Sequence, residues 1–429
     1  MQNSILRPAA FLILIPALYH LHLADLGRAK ALIFLLGMTS LWMIIQLVPL
    51  PSYVWHALPD RSLIAETDEL AGIEGIWRPI SMAPFRGLNS LISMVVPIAA
   101  LLLSLSMKIS TRILFFAIIG IGLLNSALGI AQVIGGTKSF LYLFTMSSRG
   151  APAGIFANEN HASVFSAIVL LIIARIANDN KEKGNLSWLN LSMPLSFAFV
   201  MLGALLTGSR AGFAATLLAL TAIGSMIWVR RGRSIFGKPE FSNGYIRDRG
   251  SKVIFAGLTA AVFFLILAFI WFERTPALED MLARSTLEDL RWGLWPVLNT
   301  MAIQHWLFGT GFGSFEVVYR LYEPDELLLP LYMNNAHQDW LQLVIEGGLP
   351  AFFLLCALLV WLGQALWAFS RLPQPRWDYV IFWIACIAII GVASVVDYPL
   401  RTPIFQASII WLMLCLISDR DSRQVEYPL

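Results

Sequence analysis

Long apolar runs separated by short polar connections extend along most of the chain, and they predict membrane-spanning helices. About 20 mostly apolar residues are needed to cross a bilayer as an α-helix. By this rule we expect eleven spans, at about 9–23, 31–48, 87–106, 112–134, 159–177, 188–207, 211–229, 253–272, 338–369, 377–396 and 402–418. The first is short, but it lacks a small-residue cleavage site, so we interpret it as a membrane segment. The pattern predicts an all-α, polytopic integral membrane protein with about 11–12 transmembrane helices.

Basic residues predict the orientation of these spans. The connection at 230–252 carries seven arginines and lysines against two acidic residues, which makes it a cytoplasmic loop under the positive-inside rule. The polar segments at 49–86 and 273–336 then become outer loops, and the second of these is periplasmic. Parity also puts the amino terminus outside, which is awkward because Arg7 lies there. Either the first segment is atypical or the pattern hides one further crossing.

The large outer loop is expected to be partly helical. Leu294, Leu298, Met301 and Trp306 recur at helical spacing, which indicates an amphipathic helix on the outer face. The sequence GTGFGSF comes next, but its glycines follow no strand and open no βαβ unit. We therefore expect a glycine hinge there and not a dinucleotide site.

Composition excludes several classes of protein. With 58% hydrophobic residues, 13% charged residues and a mean hydropathy of +0.70, the chain is not a soluble globular protein but a single membrane domain over residues 1–429. Its net charge of +3 is too small to indicate a nucleic-acid partner. The three cysteines lie singly in apolar runs, and the six histidines form no ligand-spaced cluster, so neither a disulfide framework nor a bound metal is expected.

The stretch NNAHQDWLQLVIEGG, at residues 334–348, carries the central candidate for catalysis, His337. A neutral imidazole at a membrane surface can accept a proton from a hydroxyl near pH 7, because its unperturbed pKa is about 6.5. The alternative is that His337 marks the water boundary of a transmembrane helix and performs no chemistry.

Two arginines are candidates for binding phosphate: Arg210, in TGSRAG, and Arg291, near the start of the amphipathic helix. Guanidinium groups bind phosphate oxygens in bidentate pairs and keep their charge at every relevant pH. Two arginines and a histidine facing one outer cavity would therefore bind a diphosphate and a hydroxyl without a metal. The alternatives are that Arg210 is a helix-end anchor and Arg291 a plain surface residue.

Further polar residues are candidate supporting groups. Asn158 and Asn160 could hydrogen-bond a sugar or diphosphate, or could cap their helix. Glu346 lies nine residues after His337, which places it on the opposite face of a straight helix, nearly in line with Asp339. Unless Gly347 and Gly348 break the helix, we interpret Glu346 as a structural group that pairs with a neighbouring helix.

One more carboxylate stands at the end of a span. Asp397 lies in VVDYPLRTP, four residues before Arg401. This short separation suggests a simple ion pair between these two side chains.

Three motifs in this order resemble the O-antigen ligase and Wzy-type polymerase superfamily. They are GSRAG at 208–212, the helix from Arg291 into FGTGFGSF, and AHQDWLQLVIEGG at 336–348. QLVPLP at 46–51, IFANENHAS at 155–163 and SVVDYPLRTP at 394–403 also resemble segments common in that superfamily. No single motif is specific, but their order and spacing are. Gln338 departs from the frequent asparagine after the histidine, and Ala351 departs from a common glycine.

The resemblance implies a multi-pass enzyme of the bacterial inner (cytoplasmic) membrane with a core at about 190–360. It implies a glycosyltransferase that takes a glycan from undecaprenyl diphosphate on the periplasmic face. The acceptor would be a hydroxyl of lipid A core or of another lipid-linked glycan, in the synthesis of O-antigen or exopolysaccharide. No cofactor and no metal are expected.

The same resemblance suggests roles for the candidate residues. Arg210 and Arg291 would neutralise the diphosphate that leaves, and His337 would deprotonate the acceptor hydroxyl. The supporting group would comprise Asn158, Asn160, Asp339 and Glu346.

Two other classes of protein remain as alternatives. A transporter or flippase for lipid-linked oligosaccharide would also have many spans with a few charges, but no internal repeat is visible and the polar residues gather on one face. A scaffold or sensor in a polysaccharide assembly complex would need no catalytic histidine. Donor consumption by the purified protein distinguishes the enzyme from both.

Overall fold

The computed structural model describes residues 2–144, 151–182, 189–236, 293–325, 333–371 and 376–426, and this part of the chain is almost entirely helical. In chain order the helices are α1 (Gln2–Tyr19), α2 (Leu23–Leu26), α3 (Lys30–Ile45), α4 (Ser52–Trp55), α5 (Ser62–Leu70), α6 (Pro84–Ser93), α7 (Val95–Ser106), α8 (Thr111–Gly135), α9 (Glu159–Glu182), α10 (Leu189–Leu206), α11 (Arg210–Phe236), α12 (Trp295–Gln304), α13 (Phe315–Tyr319), α14 (Asp339–Ser370), α15 (Trp377–Val396) and α16 (Pro403–Glu426). The predicted all-α class is confirmed.

Most of the predicted spans are present as helices. In the described ranges, eight helical segments are long and apolar enough to cross a membrane: Leu23–Ile45, Pro84–Ser106, Thr111–Gly135, Glu159–Asp179, Arg210–Arg230, Asp339–Phe369, Trp377–Val396 and Pro403–Asp421. Two shorter apolar helices, Ile5–Tyr19 and Ser192–Leu206, match the first and sixth predicted spans. The predicted span at 253–272 lies outside the described residues, as does most of the predicted loop at 230–252.

Helix α9 lies at the centre of the bundle. It packs against α8, α10, α11 and α15, and 83% of its most apolar 18-residue window is buried. A helix that is apolar on every side is stable only where protein surrounds it, or where lipid does. The aliphatic and aromatic side chains of α9 therefore form the middle of the main core, with Phe165 and Leu170 fully buried.

Deep in this core, α9 carries a buried arginine that the sequence analysis did not single out. The Arg175 side chain is 3% exposed, and one of its Nη2–H groups lies 2.7 Å from Asp419 Oδ2 of α16. The rings of Phe115, Tyr379, Phe382 and Trp383 surround its guanidinium. A charge inside a bundle must be paired in this way, so the contact fixes α9 against α15 and α16.

Arg7, in the amino-terminal helix α1, has a polar partner in the structure. Arg7 Nη1 donates to Asn89 Oδ1 in α6 at 2.6 Å. Arg7 therefore lies at the end of the bundle where the 49–86 segment ends. At the other end, Lys108 Nζ lies 3.5 Å from Asp25 Oδ1. Between these two ends of the bundle, α1, α3 and the pair α6 and α7 therefore run in alternating directions.

The 49–86 segment contains the only strands in the described residues. Strand β1 (Pro49–Leu50) pairs antiparallel with β2 (Arg78–Pro79), with Leu50 opposite Arg78. Between them lie the short helices α4 and α5. Arg78 pairs with Asp68 of α5, and Trp55 of α4 donates from Nε1 to the carbonyl of Pro79 at 3.0 Å. These contacts make the 49–86 segment a small folded unit.

The predicted amphipathic helix is present as α12, and its apolar stripe is buried. Leu294 and Leu298 are 2% exposed and Met301 is fully buried, whereas Trp306, beyond the end of the helix, is 54% exposed. The buried residues pack with Phe315 and Tyr319 of α13.

The glycine segment after α12 packs against α14. These glycines therefore allow close backbone contact and do not form the expected hinge. Thr310 N–H donates to the carbonyl of Ile345, and Gly311 N–H donates to that of Glu346, each at 2.9 Å. Gly309 has φ +72°, and a Cβ there would overlap the carbonyl of Glu346. Glycine is therefore required for close backbone packing.

This docking coincides with a break in α14. Gly348 has φ 61° and ψ −156°, which divides the helix into two parts. Gln46, at the end of α3, is 1% exposed and donates from Nε2 to the carbonyls of Phe308 and Glu346, each at 2.9 Å. The carbonyls that the break releases are thus satisfied, and the first part of α14 is held firmly in place.

We predict that Gly309→Ala destabilises the protein by about 2 kcal/mol or more, because the new methyl group both overlaps α14 and must adopt a positive φ. The apparent melting temperature in detergent micelles measures this. Gly363→Ala is the matched control, since a Cβ at Gly363 of α14 meets no atom within 4 Å. An equal melting temperature for the two variants would contradict the close-packing account.

Candidate active site

A cavity of about 360 Å³ lies between α11 and α15 and is closed by α12 and the residues before α14. Its polar lining residues come from four separate segments: Asn160, Arg210, Trp295, His337 and Gln338. Its apolar walls are small or aliphatic side chains of α11 and α15: Ala211, Ala214, Ala215, Leu218, Ile389, Val392, Ala393, Val395 and Val396. Leu218 is eight residues beyond Arg210, so the apolar wall continues about 12 Å from the polar end.

His337 stands at the polar end in a strained backbone conformation. It has φ +50°, which is unusual for a residue with a Cβ. Its Nδ1 lies 3.4 Å from Asp397 Oδ1, and its ring lies edge-on to Tyr398 with the ring centroids 4.9 Å apart. The side chain is 19% exposed and lines the cavity. Strain of this kind persists only where the surroundings impose it, and it is concentrated at functional sites.

Asp397 is the buried group behind this histidine. Its side chain is 3% exposed. Oδ2 accepts from the amides of Asn158 at 3.1 Å and Asn160 at 3.0 Å, and Oδ1 accepts from the backbone N–H of Tyr398 at 2.9 Å. Burial by itself would raise the pKa of Asp397, but the imidazoles of His161 and His337 hold the pKa of this carboxyl well below its ordinary value. Asp397 is therefore ionised near neutral pH.

Asn158 and Asn160 bind the Asp397 carboxylate and also hold the start of α9 in place. Asn158 Oδ1 accepts from the N–H of Asn160 at 2.8 Å, which caps the start of α9. Asn160 Oδ1 accepts from the hydroxyl of Ser209 at 2.6 Å and so joins α9 to the residue before Arg210. Gly212, one turn further on, leaves no room for a Cβ beside Ser163. The start of α11 is thereby fixed against the start of α9.

Only one of the two predicted phosphate-binding arginines can be located. Arg210 is the first residue of α11 and lines the same cavity as His337. Arg291 lies outside the described residues. The described cavity therefore brings together the proposed base and one of the two proposed diphosphate ligands.

Asp339 and Glu346 do not line the cavity but share a partner, Arg401. Arg401 Nε lies 3.5 Å from Asp339 Oδ1, and Arg401 Nη2 donates to Glu346 Oε2 at 3.0 Å. Glu346 is fully buried and also accepts from Gln342 Nε2 at 3.1 Å. The two carboxylates stand in line as helix periodicity predicts, because the break at Gly348 comes after Glu346. Their catalytic contribution stays a prediction.

The suggested pair between Asp397 and Arg401 is wrong. A 3₁₀ turn over Pro399–Arg401 follows Asp397 and carries the guanidinium to α14, while Asp397 faces the two imidazoles and the two asparagines. Asp397 and His161 are site residues that were not predicted as such. Both lie in motifs that carry the family resemblance, but nothing in the sequence indicates that segments 239 residues apart meet.

No three histidine, cysteine, aspartate or glutamate side chains of the described ranges are arranged to hold a metal ion. Metal independence nevertheless stays a prediction.

The fold and the cavity together define a class: a polytopic helical membrane protein with a histidine, a buried aspartate and an arginine around one cavity. Residues 195–356 match the family model Wzy_C, described as O-antigen ligase. The match contains Arg210 and His337, and it confirms the predicted resemblance to the O-antigen ligase and Wzy-type family. The match supports a function of the O-antigen ligase or polymerase type in polysaccharide synthesis, and the family is one of glycosyl-transferring enzymes. No curated protein matches it.

We predict that Arg401→Leu destabilises the protein by roughly 3 kcal/mol, because it leaves two buried carboxylates without their cation. Thermal unfolding in micelles measures the loss. Arg320→Leu is the control: it removes a surface ion pair with Glu316 and should cost less than about 1 kcal/mol. Similar losses for both variants would show that the Arg401 pairs do not hold α14 in place.

Proposed function

We propose that this protein transfers a glycan from undecaprenyl diphosphate to an acceptor hydroxyl on lipid A core or on another lipid-linked glycan. The reaction takes place at the periplasmic face of the inner membrane and uses neither metal nor cofactor. The observation that carries this proposal is the presence of His337, with Asp397 at its Nδ1, and Arg210 around one cavity.

His337 is the general base. A carboxylate beside Nδ1 favours the tautomer with the proton on Nδ1, which leaves the Nε2 lone pair to accept the acceptor's proton. As Nε2 takes this proton, the hydroxyl oxygen bonds to the anomeric carbon and the bond from that carbon to the diphosphate oxygen breaks. The leaving diphosphate keeps the electron pair. Asp397 stabilises the imidazolium that forms.

Arg210 neutralises the leaving diphosphate. A lipid diphosphate departs without being protonated, so its main requirement is a fixed positive charge where the negative charge develops. A guanidinium provides two parallel N–H donors to phosphate oxygens and does not lose its charge. Arg291 has the same role in this proposal.

The shape of the cavity supports an amphipathic donor. Its polar end suits a diphosphate, and the walls of α11 and α15 suit the first isoprene units of the lipid. Val392 and Val395 line the cavity and are 58% and 39% exposed, respectively. In this proposal these exposed apolar side chains contact the lipid chain of the donor.

We predict that His337→Ala lowers turnover by roughly 10³-fold or more while the protein stays folded, because the base is removed. The assay uses protein in nanodiscs with synthetic undecaprenyl-diphosphate oligosaccharide, without and with lipid A core, and mass spectrometry of the products. His22→Ala, an exposed histidine beside α2, is the control and should retain wild-type turnover.

The products also identify the reaction. Longer lipid-linked chains indicate a polymerase, and a reaction that requires lipid A core indicates a ligase. A folded His337→Ala variant with normal turnover would refute the catalytic assignment. A folded wild-type protein that consumes no donor with either acceptor would favour a transporter.

We predict that Arg210→Ala lowers donor consumption roughly 10²- to 10³-fold, whereas Arg210→Lys retains part of the activity because a point charge remains. The same assay at saturating acceptor, over a range of donor concentrations, measures both kcat and KM. Arg320→Ala removes an exposed arginine outside the cavity and is expected to change neither parameter. Loss of activity in Arg320→Ala equal to that in Arg210→Ala would indicate a general surface-charge effect.

A further inference from the structure

The proposed reaction uses one imidazole, but a second imidazole faces the same carboxylate. His161, in the first turn of α9, is 2% exposed. Its Nε2 lies 3.5 Å from Asp397 Oδ1, the same oxygen that His337 Nδ1 faces at 3.4 Å. The ring of Tyr398 lies edge-on to both imidazoles, with centroid distances of 5.1 Å to His161 and 4.9 Å to His337. The two histidines and the aspartate are thus one compact group.

The single carboxylate limits the number of imidazolium cations that this group can hold. One carboxylate neutralises one imidazolium, and a second imidazolium on the same oxygen would meet an uncompensated cation. Asp339 also interacts electrostatically with His161 and with Asp397, but its contact with Arg401 offsets its charge. Asp339 and Glu346 are both in contact with Arg401, Arg210 adds a positive charge at the cavity, and Glu159 stands at the start of α9. Protonation of one imidazole therefore opposes protonation of the other.

We propose that His161 is a positioning residue that shares Asp397 with His337, so that the two imidazoles take up only one additional proton between them and His161 sets the basicity of the catalytic histidine. This inference rests on the proposed role of His337 as base. Sharing of this kind is reciprocal: a proton on His161 weakens proton binding at His337 by the same factor as the reverse.

The direction of the effect on activity follows from the role of His337. A general base must be unprotonated, so the rate falls when the pH drops below the pKa of His337. Removing the competing imidazole makes His337 easier to protonate, so the acid limb of the pH profile moves to higher pH. Removing the negative charge of Asp397 makes His337 harder to protonate, so the acid limb moves to lower pH. A structural defect alone would reduce the rate without moving the limb in opposite directions.

The test compares pH profiles of kcat/KM for wild type, His161→Gln and Asp397→Asn in nanodiscs. Glutamine retains an amide N–H near the position of Nε2 but does not titrate. We expect His161→Gln to move the acid limb up by about half a unit to one unit, with a plateau within about threefold of wild type. Asp397→Asn should move the limb down and lower the plateau roughly 10²- to 10⁴-fold. His56→Gln, an exposed histidine in the 49–86 segment, is the control and should leave the limb unchanged.

A second measurement needs no activity and no folded variant of His161. Nitrogen-15 labelling of the six histidines allows the ring signals of wild-type protein to be titrated by NMR. We expect the His161 and His337 signals to change together over one pH range, and His337→Gln to alter the pH dependence of the His161 signal. Separate simple titration curves, an unmoved acid limb in His161→Gln, or a limb moved to lower pH would each overturn the inference.

Failure of the proposed function and failure of the proton-sharing inference are distinguishable. Coupled titrations together with an active His337→Ala variant would remove the proposed function and leave the proton sharing intact. An inactive His337→Ala variant with independent titrations would do the reverse.

Discussion

The structure depends above all on the buried carboxylate of Asp397. An ionised group in a bundle interior cannot be left without partners, because the cost of removing it from water is several kcal/mol. Here the partners come from three parts of the chain: the asparagines and His161 at the start of α9, His337 before α14, and the backbone of Tyr398 after α15. Satisfying one charge therefore assembles the polar end of the cavity.

A second constraint keeps His337 where Asp397 can reach it. The backbone of His337 is strained, and such strain is maintained only by rigid neighbours. The first part of α14 is rigid because the glycine segment docks on it, Gln46 donates to the carbonyl of Glu346, and Arg401 pairs with its carboxylates. These contacts hold the helix that begins two residues after His337. Close packing at glycine and buried ion pairs thus support the chemistry.

The buried charged groups of this membrane protein fall into two kinds. Buried charges such as Arg175 with Asp419 and Arg401 with Glu346 are paired within the bundle and serve its packing. The cavity between α11 and α15 differs from these ion pairs. Its polar lining residues lie together at one end, and its apolar lining residues continue along α11 and α15. That combination matches a substrate with a charged head and a lipid tail, which is the kind of donor that the proposed reaction requires.

The sequence by itself determined the helical class, eight of the expected spans as helices long enough to cross a membrane, the helix α12 and the alignment of Asp339 with Glu346. These features follow from local periodicity, which a single segment contains. The sequence also singled out Arg210 and His337, whose meeting in one cavity required the tertiary structure. Only the tertiary structure decided that Asp397 faces His161 and His337 and not Arg401. Attraction between opposite charges does not by itself select the partner of a charged side chain. Helix packing brings Asn158 to Asp397, 239 residues further along the chain. The 3₁₀ turn after Asp397 directs Arg401, the nearest arginine in sequence, towards α14.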